Sequence, residues 1–404
     1  MRTDLRTEGI SSLPTGRLAH YAVAATLARF ADEMVGLSVV LLVIDRTGSY
    51  ALSGAAVAGY TLPAVLTGPF LGAWLSHARR PTLALAGNEL VLTAVCVGLV
   101  LFVGHVPAVL VVAMTALAGA SLPLTSAGYS SLLPGMVGRP ALPKANTVDA
   151  VSVNGPAIGG PALAGTLAAV ASPATAVSAI GAVALAAAAV TLGLRANPAP
   201  TERPPLLQVA RRGLAHLAGT RPLRAATLAS VISYGCVGLL VVALPARMTH
   251  LGVGSTSAGY LWTAFEVGGV ISILVLAPRL RKLRPEHVVG VSVAGYGLLL
   301  ALLAAMSTLT ATLVVAVVAG FLEGPTLPAV FAARQRYSPD TLLAQVATTG
   351  ASLKIGAFAV RSVLSGTLTT ALGPAGMILL AAVGQIVAAA VAFTTSGGGS
   401  PRTP

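Results

Sequence analysis

Arg29, Asp32 and Glu33 stand at i, i+3 and i+4 within an otherwise apolar stretch. On a helix that spacing puts all three on one face, so one arginine reaches either acid. Two carboxylates sharing one cation leave one free to take up and release a proton near neutral pH, the chemistry of a proton-coupled device. Lys354 and Arg361 are seven residues apart and share a face of another apolar stretch, where Glu323 is predicted to neutralise Lys354. Glu89, Asp149 and Glu266 bring the ionisable residues set in apolar sequence to nine, six acids against three bases. Three carboxylates are thus left unmatched. Structural ion pairs that lock helices without moving protons are the other use such a set permits.

The elements that must position these groups are transmembrane helices. Of 404 residues, 55% are hydrophobic, 9% are charged and mean hydropathy is +0.85, whereas soluble domains carry about 25% charged residues. Apolar runs long enough to cross about 30 Å of hydrocarbon are predicted at 18–44, 51–75, 82–103, 107–133, 145–170 and 174–194. After a polar gap others follow at 222–247, 255–280, 287–306, 310–333, 342–370 and 374–394. The expectation is therefore an all-α membrane protein of twelve transmembrane helices in two six-helix blocks. One unpaired charge at mid-helix costs about 2.5–3.5 kcal/mol, so nine unrelieved would cost on the order of 25 kcal/mol. They must pair, neutralise or face water. Spans 6, 9 and 12 carry none, and seven of the nine fall on spans 1, 8, 10 and 11. At about 1.5 Å per residue, Asp32, Glu266, Glu323 and Lys354 all fall near the midplane. Glu89 and Asp149 lie closer to span ends and rank lower as functional groups.

Charge distribution sets the expected topology. Twenty Lys and Arg residues, from Arg2 through the Arg79–Arg80 pair to Arg402, fall in loops on one side, and only Arg46 and Arg247 on the other. Basic loops stay cytoplasmic, so both termini are expected inside, and the net charge of +13 reflects topology rather than nucleic-acid binding. The predicted organisation is 1–194 as one six-helix half, 195–221 as a cytoplasmic linker, 222–395 as the second half and 396–404 as a disordered tail. Within the linker, Leu206, Ala210, Leu214 and Leu217 share a face opposite Arg211, Arg212 and His216, the pattern of an amphipathic helix lying on the inner membrane surface. Ser53–Pro81 can be set against Ser257–Pro285: both stretches end in basic residues and proline. Such a duplication suits a transporter whose halves rock about a site between them.

Other chemistries find no support. Cys96 and Cys236 lie far apart in apolar sequence and read as small core residues. No two of His20, His77, His105, His216, His250 and His287 form a ligand spacing, and no phosphate-binding glycine loop or nucleophile–base pattern occurs. No metal, no cofactor and no enzymatic activity is expected. The polar N-terminal residues and the lack of a small-residue cleavage site argue against a cleaved signal peptide.

Three local patterns resemble the major facilitator superfamily. Arg46-Thr47-Gly48-Ser49 through Pro63, Gly68-Pro69 and Gly72 resembles the second-helix region of actinobacterial drug-efflux-type members. Gly72-Ala-Trp-Leu-Ser-His-Ala-Arg79-Arg80 occupies the place of the superfamily's loop motif, with Ser76 where the family has Asp, which weakens a gating role there. Gly155-Pro156-Ala157-Ile158-Gly159-Gly160 matches part of the pattern of proton-driven antiporters, although Val151 stands where an upstream glycine would be. In this reading Gly155, Pro156 and Gly159 let the fifth span kink and pack on a helix of the other half. The resemblance implies that spans 1, 4, 7 and 10 line a central cavity, which nominates Tyr129, Tyr234 and Glu323 as substrate contacts beside Asp32. Trp262, four residues before Glu266, is positioned to stack on a cationic or aromatic ligand. The resemblance implies a monomeric carrier in the bacterial plasma membrane, exporting a small amphipathic or cationic organic compound against protons. Asp32, Glu33, Arg29, Glu266 and Glu323 would handle the proton, and Lys354 and Arg361 would pair with acids. Import of a sugar or other nutrient is the alternative.

Overall fold

The computed structural model describes residues 15–78, 80, 81–137, 141–194, 206–280 and 282–396. Among these residues every regular element is a helix. In chain order they are α1 (Thr15–Thr47), α2 (Tyr50–His77), α3 (Pro81–Phe102), α4 (Ala108–Pro123), α5 (Tyr129–Met136), α6 (Leu142–Val170) and α7 (Pro173–Leu192). They continue as α8 (Leu206–Gly219), α9 (Arg221–His250), α10 (Ala258–Leu280), α11 (Pro285–Ala305), α12 (Leu309–Glu323), α13 (Thr326–Tyr337) and α14 (Asp340–Ser396).

Local chemistry sets the boundaries. The described chain ends, 15 and 396, lie at one end of the bundle, called here the terminal end. Helices that begin there carry proline in the first turn: Pro81, Pro143, Pro222 and Pro285. A proline at that position loses no helical hydrogen bond and has its φ already set. Several helices beginning at the far end are capped by a hydroxyl. Ser49 accepts from the Leu52 amide at 3.1 Å, Ser172 from Thr175 at 3.1 Å and Thr308 from Ala311 at 3.3 Å, each satisfying an amide the helix leaves unpaired. Between α4 and α5, after Pro123, Leu124–Gly128 widen into a π-type turn.

Among the described residues, nine segments are long and apolar enough to cross a membrane. The last, Gln345–Thr394, holds 50 residues, about 75 Å at the helical rise of about 1.5 Å per residue and more than twice the hydrocarbon thickness. It doubles back at Gly373 (φ 70°), followed by Pro374, so that Arg361 and Gly384 meet the same Cys236. α1 and α6 match the nine in length and carry Arg29, Asp32, Glu33 and Asp149. Large apolar side chains stand exposed around the bundle, among them Leu66 at 70%, Val109 at 70% and Leu274 at 75%. A surface of that kind is stable against acyl chains rather than water.

The cores reveal the shape. At the far end a single core joins α1 to α7 with α9 to α14, through Val39, Leu99, Ala168, Leu240, Leu303 and Met377 among others. Toward the terminal end it divides. One core holds Leu18, Tyr21, Leu85, Tyr129 and Leu194; a separate one holds Ala226, Val289, Ala333 and Ala389. The bridges between the two sets of helices also lie toward the far end. A Cβ on Gly165 would come within 2.6 Å of the Thr256 carbonyl, Gly259 abuts Gly165, and Gly54 abuts Ser362 and Gly366. Nearer the terminal end α2 and α14 diverge, leaving a groove of about 400 Å³ beside Val65, Ser352 and Gly356.

α8 has the expected helical form. Its Leu217 is buried against Leu223 and Val346, and the His216 ring hydrogen-bonds the Tyr337 carbonyl at 3.0 Å, while Arg211 and Arg212 face outward. The side chains of Leu206 and Ala210 lie outside the described residues. Arg247, expected in a loop, is 9% exposed and donates to the Ala304 and Met306 carbonyls at 3.0 and 2.8 Å, closing the C-terminus of α11. A cation satisfies those carbonyls and the helix dipole together.

Candidate functional site

The ionisable residues separate into three groups, and the separation corrects the first sequence expectation. Arg29 does not pair with Asp32 or Glu33. It is 5% exposed and turns toward α6, where its guanidinium donates to Asp149 Oδ1 at 2.7 Å and to Ser152 Oγ; a second nitrogen donates to Ser130 Oγ at 2.9 Å. Ser130 and Tyr21 donate to the same carboxylate at 2.7 and 2.6 Å. Asp149, ranked low from sequence, is thus a structural ion-pair partner that ties α1 to α5 and α6. A partner from another helix won because three hydroxyls come with it, satisfying the carboxylate and both terminal nitrogens of the guanidinium and leaving only Arg29 Nε without a partner among the described residues. Breaking one side of a buried pair strands the other charge, so Asp149→Ala is expected to cost about 3–5 kcal/mol, read as early thermal unfolding in detergent.

The second group joins half-buried Asp32 to wholly buried Glu89. Tyr60 Oη donates to Asp32 Oδ1 at 2.6 Å. Glu89 on α3 is 0% exposed and interacts electrostatically with Asp32. Its Oε1 accepts from Asn88 Nδ2 at 2.9 Å and from Thr125 Oγ1 at 3.2 Å, while Oε2 has no partner. Sequence depth alone placed Glu89 near an interface; the fold buries it among α1, α3 and the π-type turn.

The third group spans both sets of helices. Glu33 and Glu266 are exposed, Glu323 and Lys354 half-buried. Glu266 feels the charges of Glu323, Glu33 and Lys354, and Tyr234 those of Glu33, Glu266 and Glu323. Lys354 Nζ sits 4.1 Å from the centre of the Tyr234 ring, which also packs on Phe358 at 5.2 Å. No carboxylate among the described residues lies within ion-pair distance of Lys354, so the predicted tight bond to Glu323 is replaced by a looser arrangement: an ammonium on an aromatic face that feels Glu323, Glu266 and the cation Arg334, with Glu33 facing Glu266. α6 backs this group closely, since a Cβ on Gly160 would approach Glu33 Cβ to 2.8 Å.

Other nominated residues fall elsewhere. Arg361 pairs with no acid; it donates to the Ile232 carbonyl at 3.0 Å and to Cys236 Sγ at 2.7 Å. Tyr129 is wholly buried and bonded to Thr191 Oγ1 at 2.7 Å, a core residue rather than a cavity contact. Trp262 is half-buried against Phe265, ring centres 6.0 Å apart. Gly159 and Gly160 pack on Phe30 and Glu33 of α1, not on the other set; that contact falls to Pro161 and Gly165, and Gly155 has nothing within 4 Å. Pro156 is buried within α6. Gly72 lies near the end of α2, Arg80 is exposed just before α3, and Arg79 lies outside the described residues. No cluster of three or more His, Cys, Asp or Glu among the described residues is arranged to hold a metal. The residues that sequence reasoning missed are Tyr60, Asn88 and Thr125: ordinary polar residues in apolar helices, with no signal until the helices meet.

Among the described residues, the fold is a multi-pass helical bundle with charged groups gathered between two sets of helices. Residues 226–404 match the Major Facilitator Superfamily. An uncharacterized MFS-type transporter, y4rN, of Sinorhizobium fredii is 25% identical over 401 residues, covering 96% of each chain. Among solved structures, the POT family transporter PepTSo superposes with a TM-score of 0.75 at 12% identity, over 94% of this chain and 97% of that one. The nucleoside transporter NupG does so with 0.75 at 12%, over 95% and 99%. The family match over the second half, with this fold along nearly the whole length, supports a transporter of the MFS type.

Proposed function

We propose that the protein is a proton-coupled secondary transporter that exports a small amphipathic or cationic organic compound by alternating access. The proposed architecture is twelve crossings in two pseudo-symmetric six-helix halves: the nine apolar segments, with the last counted twice at its Gly373 turn, plus α1 and α6. Arg17, Arg80, Lys144, Arg279 and Arg284 stand at the terminal end, opposite Arg46, which supports cytoplasmic termini in a bacterial plasma membrane. The shared core at the far end and the divided cores at the terminal end then correspond to a form open to the cytoplasm. Nothing in the site calls for a second copy, and the proposed unit is a monomer.

The observation that carries the reading is the central group: Glu266 and Glu323 near Lys354, Glu33 facing Glu266, and Tyr234 beneath the ammonium. Neighbouring carboxylates that repel one another across such a group are relieved when protons or a cationic ligand offset their charge. Competition between the two for the same carboxylates is an exchange mechanism. Tyr234 and Trp262 offer aromatic faces to the ligand, and Asp32, bonded to Tyr60, carries the proton behind Glu33.

The test uses acid-loaded inverted vesicles with a pH-sensitive dye and pooled amphipathic and cationic compounds. The wild-type protein is expected to dissipate the gradient with at least one pool, and Asp32→Asn to lose that response while expressing normally. Wild-type rates in Asp32→Asn would remove Asp32 from the proton path. Movement of nutrient pools alone, in the inward direction, would favour an importer.

A further inference from the structure

Asp32 has a partner that the central cleft does not use. Glu89 is 0% exposed; one carboxyl oxygen receives Asn88 and Thr125, and the other receives no donor at all. A buried carboxylate anion needs both oxygens satisfied or a cation beside it. The charged and titratable groups facing the pair are Tyr60 from α2, Cys96 from α3 and Tyr129 from α5, with Arg29 and Glu33 on α1. Asp149 reaches α1 from α6 through Arg29, and α7, which also packs on α1 and α3, has no ionisable residue. Arg29 is the one cation in that circle, and Asp149 already holds it at 2.7 Å.

We propose that Asp32 and Glu89 form a two-carboxyl site that holds one proton between them within the first set of helices, with half-buried Asp32 at its mouth and wholly buried Glu89 at its closed end. The bare Glu89 oxygen is where the proton resides, since an oxygen that accepts nothing is satisfied by carrying hydrogen. α1 and α3 are unbroken helices here, and their backbone carbonyls are committed to helical bonds. Hydroxyls that already donate to the carboxylates complete the wall, so the site fits a proton and not a metal cation.

Loss of the proton leaves two adjacent anions, and Thr125, which interacts with both, is the donor placed to respond. Thr125 sits in the π-type turn, a local defect frequent at functional sites because it can relax into regular helix. α5 follows directly, and its Ser130 holds Asp149 and Arg29. Proton release is thereby linked to the ion pair that ties α1 to α6. The site rests on the transporter reading only for what its proton drives; its existence is tested without any substrate.

The experiment is an infrared titration of the purified full chain in lipid nanodiscs, following the carbonyl stretch of protonated carboxyl groups. Wild type is expected to show a band that persists through neutral pH. Glu89→Gln removes the component of the band that belongs to this pair, because Asp32 alone can ionise against Tyr60, while the component of the central acids remains. Asp32→Asn instead shifts the pH at which the band disappears, by about one unit or more once the like charge is gone. Thr125→Val, a gentler change, moves the band frequency by withdrawing a hydrogen bond from Glu89. The inference is overturned if the band survives Glu89→Gln unchanged, if it is lost in Glu266→Gln, or if it responds to sodium at fixed pH. A band that behaves as expected in a protein that moves no proton in vesicles would leave the site standing and reject the coupling.

Discussion

Glu323→Gln is expected to lower uphill transport about a hundredfold while leaving the thermal unfolding of the protein nearly unchanged. Glu323 has no hydrogen-bond partner among the described residues, so little packing is lost with its charge. What changes is the environment of Lys354. The ammonium stands over Tyr234 at 4.1 Å and has Glu323 as its foremost carboxylate neighbour, with Glu266 farther in effect. An uncompensated charge at mid-membrane costs about 2.5–3.5 kcal/mol, and about 1.4 kcal/mol corresponds to a factor of ten. The lysine must then lose its proton or draw Glu266 toward it, and either response removes a carboxylate from the exchange. A double-mutant cycle with Lys354→Met checks the coupling, since residues acting through one another depart from additivity. The expected signature is that the double variant is less impaired than the sum of the singles. Unchanged transport in Glu323→Gln would move the ligand site away from this group.

The second large effect concerns closure at the far end. Gly259 abuts Gly165 and the Pro161 carbonyl, and a Cβ there would come within 3.0 Å of Gly165 Cα. Gly259→Leu puts a branched side chain between α6 and α10. Overpacking of this sort costs about 1–3 kcal/mol, and here the penalty falls only on the state in which these helices touch. That coupling shifts the balance about 5- to 150-fold toward a form open at the far end. The Thr166 and Tyr260 hydroxyls lie 3.1 Å apart in the same contact, which makes Thr166→Cys with Tyr260→Cys a reporter of closure. Cross-linking of that pair is expected to drop by this factor in Gly259→Leu, with transport stalled and the protein still folded. Undiminished cross-linking would mean that this contact is fixed and that the halves move elsewhere.

Apolar run length, proline and hydroxyl punctuation and the placement of basic residues are local properties, and they made the helices legible. The spans predicted at 82–103 and 287–306 correspond to Pro81–Phe102 and Pro285–Ala305. The break between the last two spans, predicted between 370 and 374, falls at Gly373 and Pro374. The fold behaved less predictably at the π-type turn after Pro123, to which hydropathy is blind because it does not change the apolar content of the chain.

The charged residues show the other boundary. Composition alone determined that Arg29, Asp32, Glu33, Glu266, Glu323 and Lys354 must be relieved inside a membrane, because the cost of a bare charge there does not depend on the fold. Which group relieves which was decided only by tertiary structure. Periodicity along α1 offered Arg29 to Asp32 and Glu33, yet the arginine turned to Asp149, 120 residues away, where Ser130 and Ser152 accept from it and Tyr21 donates to the same carboxylate. Tyr60 and Glu89 then became the company of Asp32, and Glu33 was left to face the acids of α10 and α12. The physical reason is that neighbours along one helix can share charge only through the few donors on that face, whereas helices packed side by side bring whole sets of donors together. A single sequence specifies each helix face but not the packing angle and register that choose its partners.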